Sequence, residues 1–285
     1  MQTANCDYGP TPTTRADIGP GAMIAHVAEG TGAAARNEFL CESSDTYDTL
    51  PLPAGGGVSH DWIVPNAALI HAVGLQKQDL KLVAARGASL IWSPRSNFSL
   101  YGKTLRLGDA EKLQINIALG ADWLPSGSMN LNRELACASA YAAHLIHPLS
   151  DEDLWRMVTI NAARAAHVDD ALGAIEPGKT ADLILVSRRG SNSFRAVTAS
   201  TPASVQMVMR GGVVLYGNTA IVNALRPDCE AIAVAGATRA LCPEAARPSA
   251  HALQAYADDT HIYPLAFKGR PANEPACWAQ TGSRR

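Results

Sequence analysis

The sequence predicts an α/β protein with a parallel sheet, followed by a smaller and separate β element. Two observations carry this expectation. Between residues 22 and 146, short apolar runs alternate with amphipathic stretches, the pattern of βα units whose strands are covered on both faces. Beyond residue 173 the texture changes to turn-rich segments and short paired runs, which read as an antiparallel element.

Each unit can be placed in order. Residues 22–28 (AMIAHVA) form the first strand run, and a helical stretch follows over 31–40. A Gly/Pro-rich loop spans 50–57. Residues 67–73 (AALIHAV) form the second run and lead into a helix over 77–86. The third run, 88–92, ends in a turn at Ser93 and Pro94, and a loop through Tyr101 and Gly102 reaches a helix near 108–113. The fourth run, 115–120, precedes a polar loop and a helix over 131–146. Ser150 with Asp153 three residues on marks another helix start, a variant of the capping box. Residues 173–179 are a turn-rich link. Residues 181–186 and 205–215 read as strands, the latter a hairpin turning at Gly211 and Gly212, and 230–234 and 238–241 as two more. The expected organisation is an irregular segment over 1–21, a principal domain over 22–170, a small β element over 171–242 and an irregular tail over 243–285.

Composition removes several function classes. The 285 residues carry a formal net charge of −2, with 47% hydrophobic and 18% charged residues. No basic block favours nucleic acid, and no apolar run is long enough for a bilayer. The first 21 residues do not resemble a secretory signal. The six cysteines, Cys6, Cys41, Cys137, Cys229, Cys242 and Cys277, form no C-x-x-C pair, which argues against a structural zinc site and the cytidine-deaminase zinc motif. Cys229 and Cys242 lie close enough in sequence to pair across a hairpin. Free thiols in a cytoplasmic protein are the preferred reading.

Chemistry concentrates where the apolar runs end. His26 lies near the end of the first run with Glu29 just beyond it, His71 lies in the second, and Asp122 follows the fourth. A lone histidine in an apolar run is most often a hydrogen-bonded core residue. Three such positions at successive strand ends instead fit the place where parallel α/β folds bind ligands. Imidazole and carboxylate there are the donors of a catalytic metal site with one position left for water.

The segment His26-Val27-Ala28-Glu29-Gly30 resembles the H-x-x-E-G element of the amidohydrolase superfamily, in the branch of cytosine, guanine and S-adenosylhomocysteine deaminases and triazine chlorohydrolases. Ile70-His71-Ala72-Val73 is similar to that family's next histidine element, Ser93-Pro94-Arg95-Ser96-Asn97 to its S-P-x-S-N turn, and Leu119-Gly120-Ala121-Asp122-Trp123 to its aspartate element. Asn161-Ala162-Ala163-Arg164-Ala165 and residues 172–183 resemble its C-terminal signature.

The resemblance implies the last four βα units of a (β/α)8 TIM-type barrel and a small β-sandwich remnant. It also implies one divalent metal ion, zinc before iron or manganese, ligated by His26 and Asp122. Glu29 would shuttle a proton, His71 would hydrogen-bond the water or the developing oxyanion, and Asn97 and Trp123 would shape the substrate pocket. Family members open their barrel with an H-x-H pair, and none of the eight histidines here has that spacing. Two ligands enclose a metal poorly, so weak binding is expected. His60 lies in a loop, while His144 and His147 share a predicted helix face. The open sheet edges call for homo-oligomerisation or for cover by the chain ends. The leading expectation is a hydrolase of C–N bonds other than peptide bonds, deaminating or dechlorinating a small heterocycle. The alternative is a non-catalytic remnant or small-molecule binding protein.

Overall fold

Alternating apolar runs and helices arrange as the sequence predicts in a computed structural model that describes residues 3–8, 13–50, 57–188, 190, 192–234, 236–242, 249–260 and 270–278. Most of the expected Gly/Pro-rich loop therefore lies outside the described residues. The chain divides into two compact units, Met1–Ala174 with Asn273–Arg285, and Ile175–Ala272.

The first unit is a mixed α/β fold. Its strands are β1 (Met23–Val27), β2 (Ala67–His71), β3 (Ser89–Trp92) and β4 (Ile117–Leu119), all parallel and in sequential order. Helix α1 (Ala33–Glu42) follows β1, α2 (Lys77–Ala85) follows β2, and α3 (Pro94–Tyr101) and α4 (Leu107–Lys112) follow β3. After β4 come α5 (Leu131–Ala142), α6 (Asp151–Met157) and α7 (Ile160–Ala165). Pairing is flush, with His26 opposite Ile70 and Val27 opposite His71, so the strands end together and their turns open at one end.

Small residues bring a helix against this sheet. Ala68, Ala118 and Ala165 form a buried cluster, with Ile91 and Ala162 packed on it. Asn161 at the start of α7 donates from Nδ2 to the Ile117 carbonyl at 3.1 Å, and Asn116 Nδ2 returns a bond to the Asn161 carbonyl at 3.0 Å. The Asn-x-Ala-Arg-Ala motif thus acts as a docking element for β4. Ser150 caps α6 as expected, accepting from Asp153 N at 3.1 Å while the Asp153 carboxylate accepts from Ser150 N at 2.8 Å.

Two local expectations change. The Ser93–Pro94 turn and the following loop are the helix α3, with Pro94 in its first turn and Gly102 at φ 63 ending it. Both are helix-boundary signals, because proline loses no needed N–H there and glycine tolerates the left-handed cap. Helix α5 stops at Ala142 rather than near 146. His144 and His147 therefore share no helix face, and the His144 ring lies 4.3 Å from that of Trp278.

The second unit is one five-stranded antiparallel sheet of β5 (Leu183–Val186), β6 (Val205–Arg210), β7 (Val213–Asn218), β8 (Glu230–Val234) and β9 (Ala237–Leu241), in the order β5-β6-β7-β9-β8. Gly211 and Gly212, both at positive φ, make the tight β6–β7 turn. Helices α8 (Ser193–Thr198), α9 (Thr219–Leu225) and α10 (Ala250–Thr260) complete it. The tail expected to be irregular thus contains α10, and its residues from Asn273 onward belong to the first unit. No described helix is long and apolar enough to cross a membrane.

The free-thiol reading is overturned. Cys6–Cys41, Cys137–Cys277 and Cys229–Cys242 are disulfides, and no cysteine is free. Separations of 35 and 140 residues hid two of the pairs in the sequence; folding brings their Cα atoms to 5.5 and 5.3 Å.

Candidate metal centre at the strand ends

At the ends of β1 and β2 the chain turns sharply, and the two turns are bonded to each other. Ala72 N donates to the Val27 carbonyl at 3.2 Å and Gly74 N to the Ala28 carbonyl at 2.9 Å. A Cβ on Gly74 would stand 3.0 Å from Ala35 Cβ and 3.1 Å from the Gly30 carbonyl oxygen, so this approach favours glycine. Ala28, His71 and Ala72 all have positive φ, at 53, 68 and 51°, which is costly for residues bearing a Cβ. Glu38 of α1 steadies the first turn by accepting from Ala28 N at 2.9 Å through Oε2.

These turns bring three side chains together. His26, Glu29 and His71 offer donor atoms that all lie within 4.8 Å of one another, the one such cluster of metal-binding side chains among the described residues. His26 is exposed, Glu29 is partly exposed, and His71 is sealed at 0% exposure. The two imidazole rings are 5.2 Å apart, and His71 Nε2 is 3.4 Å from Glu29 Oε1.

The tautomer of His71 follows from its surroundings. Asn97 Nδ2 donates to Thr104 Oγ1 at 3.1 Å, and Thr104 Oγ1 also accepts from the Trp92 indole at 2.8 Å. The Asn97 carbonyl therefore faces His71 and accepts from Nδ1–H at 2.8 Å. In the neutral ring this leaves the lone pair on Nε2, which is buried and without a hydrogen-bond partner. Such a group costs about 1–3 kcal/mol, and a ligand or water would relieve that cost.

Asn97 is thus fully buried and engaged on both polar atoms. Asp122 follows β4 at the far edge of the sheet, partly exposed and at φ 56, and is not one of the three converging donors. Trp123 beside it is 67% exposed. His60 is half-buried in its loop and also stands outside the cluster.

Sequence reading missed Tyr101. Its hydroxyl donates to Glu29 Oε1 at 2.8 Å. Burial, then the hydrogen bond to Glu29 and the charges of Glu29 and Asp122, push its phenol above the ordinary range, so it remains a donor. Its place at the end of α3, just before Gly102, was the signal available. Helix α3 is itself anchored: the Glu134 carboxylate accepts from Arg95 N at 2.9 Å, and Arg95 donates to Ser128 Oγ at 2.5 Å and to the Pro275 carbonyl at 2.7 Å. Burial, together with the Glu274 charge, pushes the Glu134 carboxyl up to about 7 despite bonds from Arg95 and Ser128.

A sequence profile of the amidohydrolase family matches residues 25–215. Similar curated proteins include the 5-methylthioadenosine/S-adenosylhomocysteine deaminase of Teredinibacter turnerae, 31% identical over 128 residues, covering 44% of this chain and 29% of that protein. The enzyme of the same name from Nitratidesulfovibrio vulgaris is 27% identical over 202 residues, covering 67% of this chain and 44% of that protein. The chain thus matches less than half the length of these relatives. Among solved structures, an adenosine deaminase of Xanthomonas campestris with bound zinc superposes with a TM-score of 0.55 at 22% identity, over 68% of this chain and 45% of that one.

Proposed function

The chain belongs to the amidohydrolase family, and on that premise we propose that it hydrolyses C–N bonds other than peptide bonds with a divalent metal ion, zinc before iron or manganese. The observation that carries this reading is the convergence of His26, Glu29 and the unpartnered His71 Nε2 at the ends of parallel strands. Imidazole and carboxylate donors suit such an ion, and an orphaned buried nitrogen fits either the ion or its water.

In this reading His26 and Asp122 would hold the ion, whose chemistry would be to make a water more acidic, toward a pKa of about 7. Glu29 is placed to take a proton from the attacking water and return it to the leaving nitrogen, with one carboxylate oxygen fixed by Tyr101. His71 accepts a hydrogen bond from the water through Nε2, and Asn97 holds the tautomer that makes this possible. Trp123, exposed beside Asp122, offers a face for a planar ring. The substrate is then a small aminated heterocycle, deaminated as the relatives' names suggest, with dechlorination as the related reaction. Neither nucleic acid nor membrane is a partner in this reading.

The four parallel strands fit four successive units of a (β/α)8 barrel, and the antiparallel sheet fits a remnant of the family's small β-sandwich. Among the described residues strand β1 pairs only with β2, and we assign cover of that edge to a second copy. Three disulfides favour an oxidising compartment over the cytoplasm that composition suggested.

The alternative reading is a small-molecule binder without turnover. Ammonia release from a panel of aminopurines, aminopyrimidines and aminotriazines, after loading with Zn2+, Mn2+ or Fe2+, separates the two. Turnover that disappears in Glu29→Gln supports hydrolysis. Full turnover in that variant removes the shuttle role, and no release from metal-loaded protein favours the binder.

A further inference from the structure

We propose that residues 273–278 form a strap that positions the site: clamped on Arg95 and latched to α5 by Cys137–Cys277, they hold α3 where Asn97 sets His71 and Tyr101 sets Glu29. The segment belongs to the first unit, although it follows the second in the chain. Four contacts fasten it. Glu274, buried at 2% exposure, accepts from Arg133 Nε at 2.7 Å and from Met129 N at 3.1 Å. The Pro275 carbonyl accepts from Arg95 Nη1 at 2.7 Å. Cys277 is bonded to Cys137 of α5, and the Trp278 ring lies edge-on to Tyr141 at 6.0 Å.

Arg95 is where the strap reaches the site. It is buried, and a guanidinium taken out of water is tolerated only where acceptors meet its N–H groups. The strap supplies the Pro275 carbonyl and, 3.7 Å away, the Glu274 carboxylate. Ser128 Oγ and the Arg133 carbonyl add two more acceptors. Withdrawing the strap would take acceptors away from a buried charge at the start of α3.

The helix carries this constraint to its other side. Arg95 and Asn97 stand about 200° apart around α3, whereas Asn97 and Tyr101 share a face at i, i+4. Phe98, three residues from Arg95, lies on the strap side, its ring 4.9 Å from that of Tyr141, which Trp278 also meets. One face of α3 thus binds the strap. The opposite face accepts from His71 Nδ1 through Asn97 and donates to Glu29 through Tyr101. Arg95 and Glu274 are positioning residues, acting on the site only through α3. Any consequence for turnover rests on the hydrolytic reading; the holding of His71 and Glu29 does not.

The test uses the full oxidised chain, treated with chelator and carrying isotopically labelled histidine. Heteronuclear NMR of the ring nitrogens reads the tautomer of His71, assigned by its loss in His71→Gln. The parent is expected to show the single Nδ1–H form that Asn97 enforces. Cys137→Ala with Cys277→Ala, and separately Arg95→Lys, should shift the ring toward a mixture of tautomers. Amide hydrogen exchange in α3 should rise about tenfold or more, the equivalent of one lost bond from a charged donor. Cys6→Ala with Cys41→Ala removes a cross-link at α1 instead and should leave the His71 ring in its parent form. The same tautomer change in that control would reduce the strap to a general stabiliser and overturn the proposal. A parent-like ring and parent-like exchange in Arg95→Lys would overturn it as well, and this variant decides alone if the double alanine variant does not fold. The expected ring shift in a chain without turnover removes the hydrolytic reading and keeps the strap.

Discussion

Replacing Glu42 with glutamine should change how stability depends on pH. Glu42 ends α1, and its Oε2 is buried with no hydrogen-bond partner. Burial first, then repulsion from Glu38 one turn earlier, push its carboxyl up from 4.5 to about 9. The folded protein therefore keeps a proton that the unfolded chain releases above its ordinary value. Stability from this group is complete at low pH and falls as pH rises toward the folded value. The slope is at most about 1.4 kcal/mol per pH unit, so between pH 5 and pH 8 the loss approaches an order of 4 kcal/mol. Glutamine has no proton to lose, though its buried amide costs about 1 kcal/mol for an unpaired donor. Glu42→Gln should thus be level with or slightly below the parent at pH 5 and more stable at pH 8. Urea unfolding under non-reducing conditions, followed by tryptophan fluorescence, reads this directly. All five tryptophans lie in the first unit, so the signal reports the right part of the chain. Other titrating groups cancel in the difference between variant and parent. An equal difference at both pH values would refute a neutral Glu42, and with it the account of α1 as a helix carrying a protonated carboxyl behind the site.

Removing the Cys137–Cys277 disulfide as the double alanine variant opens a loop of 140 residues; chain entropy predicts a loss of at most about 5 kcal/mol, read as a lower urea midpoint, and an unchanged midpoint would mean the bond contributes nothing. Glu274, which accepts from Arg133 Nε at 2.7 Å, is pushed up by burial but held lower overall by Arg133, Met129 N and Arg95. Its stabilisation is therefore present above the ordinary carboxylate range and lost as pH falls through its depressed value. Glu274→Gln should flatten the acid limb of the stability profile between pH 5 and 3. Trp123→Ala, at an exposed position, should leave the melting temperature within error while raising KM for an active heterocycle about tenfold, the loss of roughly 1–3 kcal/mol of ring stacking; an unchanged KM removes Trp123 from the pocket.

The strands were legible because a parallel sheet buried on both faces leaves continuous apolar runs, as in residues 67–71. Local chemistry was legible too. Ser150 with Asp153, and Gly211 with Gly212, act within a few residues of themselves. His26, Glu29 and His71 could be suspected together because each stands at a strand end. What sequence did not show depends on contacts between distant positions. Tyr101 meets Glu29 across 72 residues, and Cys137 meets Cys277 across 140. Asn97 read as a turn residue open to substrate, but α3 points it inward to His71 and Thr104. Its role in the site is to fix a tautomer, which residue type alone does not indicate.

Backbone strain at the strand ends raises a last question, whether it serves the site or only the architecture. Ala28, His71, Ala72 and Asp122 all adopt positive φ, at a cost of roughly 1–2 kcal/mol each for residues with a Cβ. Hydrogen bonds from neighbouring turns hold them, including Glu38 on Ala28 N and Ser128 N on the Ala121 carbonyl at 2.9 Å. Ala28→Gly separates the two roles. Glycine relieves the local cost, but it loses a buried methyl worth about 0.8 kcal/mol and gains unfolded-state freedom worth about 0.4–1 kcal/mol. These terms nearly cancel, so global stability should stay within about 1 kcal/mol of the parent. The turn itself becomes looser, and Glu29 is the next residue. If strain presets Glu29 against His71, turnover of an active heterocycle must fall even though the melting temperature does not. Turnover and stability both unchanged would show that Glu38 and Tyr101 position Glu29 without help from the strained backbone.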